Sequence, residues 1–505
     1  MNKFLNGLQD ATNFTYTENG ALTHKSTGSA LMDLFGMGGA YRNRSDADCI
    51  ILFKNAFEEN EEYAMKCLFY IRDILKGQGE RRFFRVCMKW LANQYPDAVV
   101  RNLKFFPELG RWDDLFCLMD TKVELAALSF IKIQLAEDVS CKTPSLLGKW
   151  MPSINTSSNE TRRLANKVRE YLGVSHKQYR KTLSILRERI NVLERLMSAG
   201  EWDKIEYDKI PSQAGLKYRN AFAKHDVERA KAGVVTYESF IKDENTTVNA
   251  GALYPYQVVE KAYDLYFNAL YTGGKTVAFD DTERVAINKY WDNLTDYFNE
   301  ATFDGLVVAD VSGSMRGTPI NVAISLGLYC AEKARGPFRG HFITFSECPE
   351  LVKTEGVDFV DKVQRMSKAN WGGNTNIEAV FDLLLDTAIQ NHCRQEDLPK
   401  NIMIVSDMEF DSCACSGIGW GHITRCEDTL METIKEEWAD KGYECPNLIF
   451  WNVDCRNNNI PMHDDGHVTF VSGFSPSLFE GLMSGKTGED FMYETLNRSR
   501  YVDIH

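Results

Sequence analysis

The spacing of hydrophobic residues divides the chain into two parts. Up to about residue 300, apolar residues recur at helical spacing, which predicts a succession of amphipathic helices. The run from Glu61 to Lys76 illustrates this spacing, since one helical face would collect Ala64, Cys67, Leu68, Ile71 and Leu75. Beyond that point, short continuous apolar runs alternate with helical patterns, as expected of buried parallel strands joined by helices. The sequence therefore predicts an all-α domain followed by an α/β domain.

Three segments follow from this pattern. Residues 1–30 are polar and show no period, so we expect an extended N-terminal arm. In residues 31–300, tight connections between successive helix pairs favour a HEAT-like helical-repeat array, either open or closed into a ring; an irregular all-α domain is the alternative. Residues 301–505 are predicted to form a doubly wound α/β domain, whose ligands would bind at the carboxyl ends of its strands. The expected strands are Gly305–Ala309, His341–Phe345, Asn401–Asp407, Asn447–Val453 and Val468–Ser472.

Composition narrows the class of protein. The 505 residues are 44% hydrophobic and 26% charged, as in ordinary globular proteins. The thirteen cysteines are scattered and odd in number, which favours reduced thiols over a disulfide framework. Neither a signal-peptide core nor a membrane-spanning run is present in the sequence, so we expect a soluble, cytoplasmic protein without a membrane partner. The net charge of -13 argues against a chain that coats nucleic acid, but it leaves a local basic surface open.

One segment departs from this acidic balance. From Lys142 to Arg195 the chain carries twelve Lys and Arg residues against four Glu and no Asp, with Tyr171, His176 and Tyr179 interleaved. A basic helical surface with stacking side chains suits RNA phosphates and exposed bases. The alternative is a solvated helix face whose charges pair with their neighbours. The residues proposed to contact RNA are Arg162, Arg163, Lys167, Arg169, Lys177, Arg180 and Lys181.

Oxygen ligands for a metal ion follow the predicted strands. Asp310, Ser312 and Ser314 come at alternate positions after a buried apolar run, and Asp407 comes directly after another. Thr375 lies in a glycine loop that precedes a predicted helix. Two carboxylates and three hydroxyls suit Mg²⁺ or another hard divalent cation, and an open coordination position would accept a carboxylate from a protein partner.

Two enzyme classes do not fit these residues. A phosphatase with an aspartyl nucleophile would need a second acid two residues after Asp310, where Ser312 stands. A serine-hydrolase elbow needs Gly-x-Ser-x-Gly, which surrounds neither Ser312 nor Ser314. We therefore expect a non-enzymatic protein.

A second cluster of ligands lies in the segment after Asp407. Cys413, Cys415, His422 and Cys426 are four soft ligands within fourteen residues, enough to close a tetrahedral zinc site. Their spacing differs from that of common zinc fingers, and the neighbouring glycines are equally consistent with a flexible loop. Zinc is the less favoured of the two interpretations.

The order of Asp310-Val311-Ser312-Gly313-Ser314, then Thr375, then Asp407 resembles the metal-ion-dependent adhesion site of von Willebrand factor A domains. This resemblance covers about 200 residues. It implies that Ser312, Ser314 and Thr375 contact the ion, with Asp310 and Asp407 acting directly or through water.

The whole layout, helical array first and A domain last, is similar to that of the Ro/TROVE ribonucleoproteins, and closer still to an uncharacterised Ro-like family. The closer likeness lies in Leu68–Asp73, Gly79–Arg82, Gly110–Asp114 and Asn249–Leu253. Ro proteins close their helical repeats into a ring whose basic surfaces hold small structured RNAs and the single-stranded ends of misfolded RNAs. The resemblance implies RNA binding here; a protein–protein scaffold that uses the helical array and the ion site without RNA is the alternative.

Overall fold

The computed structural model describes residues 13–271, 278–298, 303–345, 349–366, 376–411, 430–462, 467–482 and 487–505. Within these ranges the first part of the chain is mainly helical, and the later part builds a six-stranded sheet with helices. A helical part followed by an α/β part is therefore confirmed. None of the described helices has the length and apolar character needed to cross a membrane.

Helices in the first part begin where the sequence offers polar caps. The side chain of Ser45, for example, accepts a hydrogen bond from the backbone N–H of Asp48, and Ser175 caps the helix His176–Arg189 in the same way through Gln178. The helices are α1 Ala30–Met37, α2 Asp46–Glu59, α3 Glu61–Arg72, α4 Arg82–Gln94, α5 Pro96–Arg101, α6 Phe105–Leu109, α7 Glu124–Ser140, α8 Leu147–Trp150, α9 Asn159–Leu172, α10 His176–Arg189, α11 Leu193–Ala199, α12 Ser212–Lys224, α13 Asp226–Lys231, α14 Tyr237–Lys242, α15 Pro255–Tyr271 and α16 Thr282–Asp292.

Short 3₁₀ turns join several of these helices, at Gly38–Asn43, Trp112–Leu118, Trp202–Lys204 and Tyr207–Lys209. One helix is shorter than its hydrophobic pattern predicts. The run from Glu61 was expected to continue to Lys76, but α3 ends at Arg72. The carboxylate of Asp73 accepts hydrogen bonds from the backbone N–H groups of Leu75 and Lys76, which replaces the last helical turn with a side-chain-capped loop.

The sheet of the second part is mostly parallel. Its strands are β3 Gly305–Asp310, β4 His341–Phe345, β5 Glu350–Lys353, β6 Asn401–Ser406, β7 Asn447–Asn452 and β8 Val468–Ser472, in the spatial order β5-β4-β3-β6-β7-β8. Of these six, only the edge strand β5 runs antiparallel to its neighbour. The chain first builds outward from β3 through β4 and then returns to the other side of β3 with β6. The order reverses between β3 and β6, which makes this the topological switch point of a doubly wound sheet.

Helices of the second part are α17 Thr318–Lys333, α18 Phe359–Met366, α19 Glu378–Gln390, α20 Leu430–Asp440, α21 Phe479–Leu482 and α22 Gly488–Leu496, with 3₁₀ turns at Gly313–Met315, Gln395–Asp397 and Pro476–Leu478. Three of the four inner strands, β3, β6 and β7, are buried almost throughout, as their continuous apolar runs predict.

Residues 13–30, the described part of the predicted N-terminal arm, are not an extended arm. Phe14–Tyr16 and Leu22–His24 pair as a hairpin, β1 and β2. His24 then exchanges two backbone hydrogen bonds with Ile460, at 3.0 and 2.9 Å. Thr17 donates from its hydroxyl to the carbonyl of Phe410. Polar side chains thus serve here to pair this segment with the α/β part, a use that a hydrophobic pattern does not reveal.

The helical and α/β parts share a packed interface. Helix α1 lies against β8, where a Cβ at Gly36 would come within 3.0 Å of the Cβ of Phe470. The indole of Trp291 stacks on the ring of Phe359 with centroids 4.1 Å apart, and the buried guanidinium of Arg284 binds both carboxylate oxygens of Asp358. Contacts of this kind hold the sheet and the helices in one arrangement.

Candidate functional site

The carboxyl ends of β3 and β6 bring together the two carboxylates that the sequence singles out. Asp310 is the last residue of β3, and Asp407 directly follows β6, its neighbour at the switch point. Both side chains are buried, with 0% and 2% exposure. Ligands of doubly wound sheets bind in this position.

Asp310 is held by two hydrogen-bond donors. Its Oδ1 accepts from the backbone N–H of Ser312 at 2.9 Å, and its Oδ2 accepts from the hydroxyl of Ser406 at 2.5 Å. Burial, and next the negative charge of Asp407, raise the pKa of Asp310 to about 7. The carboxylate is therefore oriented by hydrogen bonds, but both of these donors are neutral.

Two hydroxyls face each other beside this carboxylate. The oxygens of Ser312 and Ser314 lie 2.9 Å apart, because the chain turns through the 3₁₀ segment Gly313–Met315 directly after β3. Ser312 is buried and Ser314 is half-buried. The strand end therefore supplies one carboxylate and two hydroxyls from a stretch of five residues.

Asp407 has a counter-ion that the sequence analysis did not identify. Nη2 of Arg456 donates to Asp407 Oδ2 at 2.6 Å, and Nη1 of the same guanidinium lies 2.9 Å from Glu18 Oε2. Asp407 Oδ1 accepts from the backbone N–H of Glu409 at 3.2 Å. Arg456 thus joins the N-terminal hairpin to the carboxylate at the end of β6.

The donor set fits a hard cation. Buried carboxylates and hydroxyls that meet at one sheet edge are the ligands that Mg²⁺ prefers. A cation there would offset the burial and the negative charge of Asp407, which raise the pKa of Asp310. In the ranges that the structure describes, no three His, Cys, Asp or Glu side chains converge as they would around a metal. An ion at this sheet edge would instead have two carboxylates and rely otherwise on hydroxyls.

Several predicted ligands lie outside the described residues. Thr375, the fifth member of the ion site, falls in the segment 367–375. All four zinc candidates, Cys413, Cys415, His422 and Cys426, fall in the segment 412–429. Their arrangement stays a prediction of the sequence.

Four of the seven predicted RNA-contacting residues are engaged within the protein. Arg163 lies 2.8 Å from Asp120 and 2.7 Å from Glu160. Lys167 binds Asp120 and Glu124, and Arg169 binds Glu170. Arg162 donates to the carbonyl of Thr156 and to the side chain of Asn159. On α9, therefore, the basic side chains are bound to neighbours.

The other three lie exposed on α10. Lys177, Arg180 and Lys181 form no ion pair among the described residues, and their spacing puts them on one face of the helix. Of the interleaved rings, Tyr179 does not fit the expected stacking role, because it is only 2% exposed and its hydroxyl donates to the carbonyl of Pro152. His176 is exposed.

A cavity of about 620 Å³ opens beside this face of α10. Its wall includes Lys149, Trp150, Arg180, Arg187 and Arg195. Arg187 is committed to the wall, since it donates to the carbonyls of Gly148 and Met151 and to the hydroxyl of Ser153. Trp150 was not among the predicted residues, although an aromatic ring next to Lys149 in a basic segment could have indicated it.

Comparisons with known proteins bear on both parts. A family model described as "Domain of unknown function (DUF2828)" matches residues 17–124 and 131–302, more than half of the chain. The chain belongs to the DUF2828 family. In this DUF2828 protein, a second model described as "Domain of unknown function (DUF7788)" matches residues 304–500. The uncharacterized protein L728 of Acanthamoeba polyphaga mimivirus is 30% identical to it over 514 residues, covering 94% of this chain and 85% of the viral protein.

Proposed function

We propose that this chain is a non-enzymatic, Ro-like RNA-binding protein whose helical part binds RNA. Its α/β part is, in this proposal, a von Willebrand factor A-type domain that binds Mg²⁺. The RNA would be a small structured RNA or a misfolded RNA with a single-stranded end, and the helices would belong to a HEAT-like array.

One observation carries the RNA half of the proposal. Lys177, Arg180 and Lys181 share one exposed face of α10 without a carboxylate partner among the described residues, in a chain whose net charge is -13. Unpaired cations on one face favour phosphate binding, because each phosphate that they neutralise releases counterions from the nucleic acid. The basic side chains Arg163, Lys167 and Arg169 on α9 are less available for phosphates, because they already form ion pairs.

The cavity beside α10 adds a place for a base. Trp150 is half-buried in its wall, with the Lys149 ammonium 5.6 Å and the Arg111 guanidinium 4.8 Å from the ring centroid. A volume of about 620 Å³ is sufficient for an unstacked nucleotide. Aromatic rings and guanidinium planes are the surfaces on which single-stranded bases stack.

The ion half rests on the meeting of Asp310 and Asp407 at the switch point. Ser312, Ser314 and Thr375 would contact the ion, with the two carboxylates acting directly or through water. Since Arg456 already binds Asp407 Oδ2, we assign the stronger role to Asp310. A carboxylate from a protein partner would complete the coordination.

A second function has its own support. The ion pairs of Arg163 and Lys167 with Asp120 and Glu124 are what a protein–protein scaffold with solvated helix faces would show. In that case the helical array would bind protein, and the ion site would provide the second contact.

Salt-dependent RNA binding separates the two functions. We expect the full chain, freed of bound nucleic acid, to bind an RNA hairpin with a single-stranded tail. The logarithm of its association constant should fall linearly with log[salt]. Replacing Lys177, Arg180 and Lys181 by Ala should flatten this slope by roughly two, given about 0.7 per single-strand phosphate contact. The measurement is fluorescence anisotropy at several salt concentrations.

The matched control replaces Arg163 and Lys167 by Ala, which removes neighbouring charges that are already neutralised by Asp120 and Glu124. Its salt slope should equal that of the wild type. Absence of binding at low salt, or equal slopes in both variants, would favour the scaffold.

A further inference from the structure

A second cavity, of about 830 Å³, is lined by residues of the helical part and by none of the candidate ion ligands. Six arginines line it: Arg42, Arg72, Arg81, Arg82, Arg85 and Arg111. Among the described residues that form its wall, the only carboxylate belongs to Glu80. We call this the arginine cavity.

Residues from distant points of the sequence meet here. The segments Leu68–Asp73, Gly79–Arg82, Gly110–Asp114 and Asn249–Leu253, which carry the likeness to the Ro-like family, each contribute to its wall. Gly79, at φ +68°, is required for close approach, since a Cβ there would lie 2.0 Å from the hydroxyl of Tyr254. Segments that are distant in the sequence therefore pack closely in this wall.

Carboxylates beside the cavity orient four of the arginines. Asp114 is 0% exposed, and its two oxygens accept from Nε of Arg72 at 2.8 Å and Nε of Arg85 at 2.7 Å. Glu80 lies 2.9 Å from Arg42, and Asp46 binds Arg82. These contacts fix the guanidinium planes before any ligand arrives.

Two arginines remain without a carboxylate. Arg81 is exposed, and Arg111 lies over the ring of Trp150; among the described residues neither forms an ion pair. Burial lowers the pKa of Arg111, and the positive charges of Arg81 and Arg72 act in the same direction.

Two buried guanidinium donors at this cavity have no partner among the described residues. Arg72 is 2% exposed, and its Nη2 has no hydrogen-bond partner in the described structure. The same holds for the buried Nε of Arg42. The start of α4 does not by itself make an anion site, because Glu80 already accepts from the backbone N–H of Arg82. An anion would satisfy these guanidinium donors and at the same time reduce the repulsion among the arginines, which a neutral acceptor would not do.

We propose that the arginine cavity binds a group of clustered phosphates, carried either by a free nucleotide or by the 5′ end of an RNA. Planar guanidinium groups bind phosphate oxygens in pairs, and several of them together select a polyphosphate over a single phosphate. This site does not include Lys177, Arg180 or Lys181 and stands whether or not that face of α10 binds RNA. Arg111 is shared, since it also stacks on Trp150, so the single variant Arg81→Ala is the one that reports on the arginine cavity alone.

Isothermal titration calorimetry of the full chain with inorganic tripolyphosphate, without divalent cations, tests the proposal. We expect one site per chain and weaker binding of orthophosphate. The double variant Arg81→Ala/Arg111→Ala should lose about tenfold or more in affinity, the amount expected for charge-assisted hydrogen bonds. Arg81→Ala alone should lose part of it, and because Arg81 is exposed, this variant keeps its fold.

The control replaces Lys224 and Lys231 by Ala, two exposed cations outside the cavity, and should bind tripolyphosphate like the wild type. Failure of the wild type to bind tripolyphosphate, or equal binding by Arg81→Ala/Arg111→Ala, would overturn the proposal.

Competition then identifies the source of the phosphates. A 5′-triphosphate RNA that displaces tripolyphosphate better than a free nucleoside triphosphate assigns the site to an RNA end, and the reverse order assigns it to a free nucleotide. The same RNA with a 5′-hydroxyl tests only the α10 face. Loss of its binding would count against the proposed function and leave the arginine cavity unaffected.

Discussion

The arginine cavity and the carboxylates at the sheet edge solve the problem of buried charge in opposite ways. In the cavity, Arg42, Arg72 and Arg85 each bind a carboxylate, and Arg81 and Arg111 leave a surplus of positive charge along its wall. At the sheet edge, Asp310 is held only by neutral donors among the described residues, and one arginine compensates Asp407. A chain of net charge -13 can therefore maintain a cationic and an anionic site, provided that each is oriented by groups within the fold.

The largest effect should come from breaking the support of the arginine cavity. Asp114→Ala would leave the guanidinium groups of Arg72 and Arg85 without their buried partner. We expect the free energy of unfolding, measured in urea, to fall by about 3–5 kcal/mol. Asp113→Ala is the control, since Asp113 is partly exposed and pairs with Arg85 alone among the described cations; it should cost about 1 kcal/mol or less. Equal losses would mean that Asp114 does not organise the cavity.

The second prediction concerns the stabilisation of the protein by Mg²⁺, which should depend on the carboxylate of Asp310. Asp310→Asn keeps the side-chain shape and the acceptor for Ser312 but removes the carboxylate. Saturating Mg²⁺ should stabilise the wild type by about 2.7 kcal/mol at 100 times Kd and leave this variant unchanged, as measured by thermal unfolding. Asp304→Asn, which removes a charge just before the opposite end of β3, should keep the full response. A Mg²⁺ response that survives in Asp310→Asn would refute the ion site.

The smallest expected effect is a change in Mg²⁺ affinity when the counter-ion of Asp407 is removed. Arg456→Met removes the cation bound to Asp407, so Mg²⁺ should bind several-fold more tightly, as judged by calorimetry. Glu18→Gln weakens the link between the hairpin and Arg456 without touching Asp407, and should leave Mg²⁺ affinity unchanged. Weaker binding in Arg456→Met would instead indicate that this arginine orients Asp407 for the ion.

The parts of the fold that repeat along the chain were predictable, and those that depend on distant partners were not. Strands His341–Phe345 and Val468–Ser472 have the predicted bounds, and the other three predicted strands differ by one residue at one end, because continuous apolar runs mark buried strands. The helix predicted over Glu61–Lys76 instead ends at Arg72, where the carboxylate of Asp73 accepts from the backbone N–H of Leu75 and from the hydroxyl of Tyr501, which lies 428 residues later in the sequence.

The same distinction holds for the sites. Asp310, Ser312 and Asp407 are recognisable because each stands at a fixed place relative to its strand. Arg456 is not, since it follows β7 in a loop, and only the fold brings it to Asp407. The arginine cavity resembles Arg456 in this respect. Its six arginines belong to segments that are distant in the sequence, and only the fold brings them together.

The hairpin β1–β2 and helix α1 have a consequence for synthesis of the protein. Their partners, Ile460 and strand β8, are made more than 400 residues later, so these early segments must wait for nearly the whole chain. At about 5–20 residues per second the delay is on the order of tens of seconds. During that time the apolar face of α1, with Leu34 and Phe35, is without its final cover. Shortening the chain from its C-terminal side would therefore expose the N-terminal segments as well.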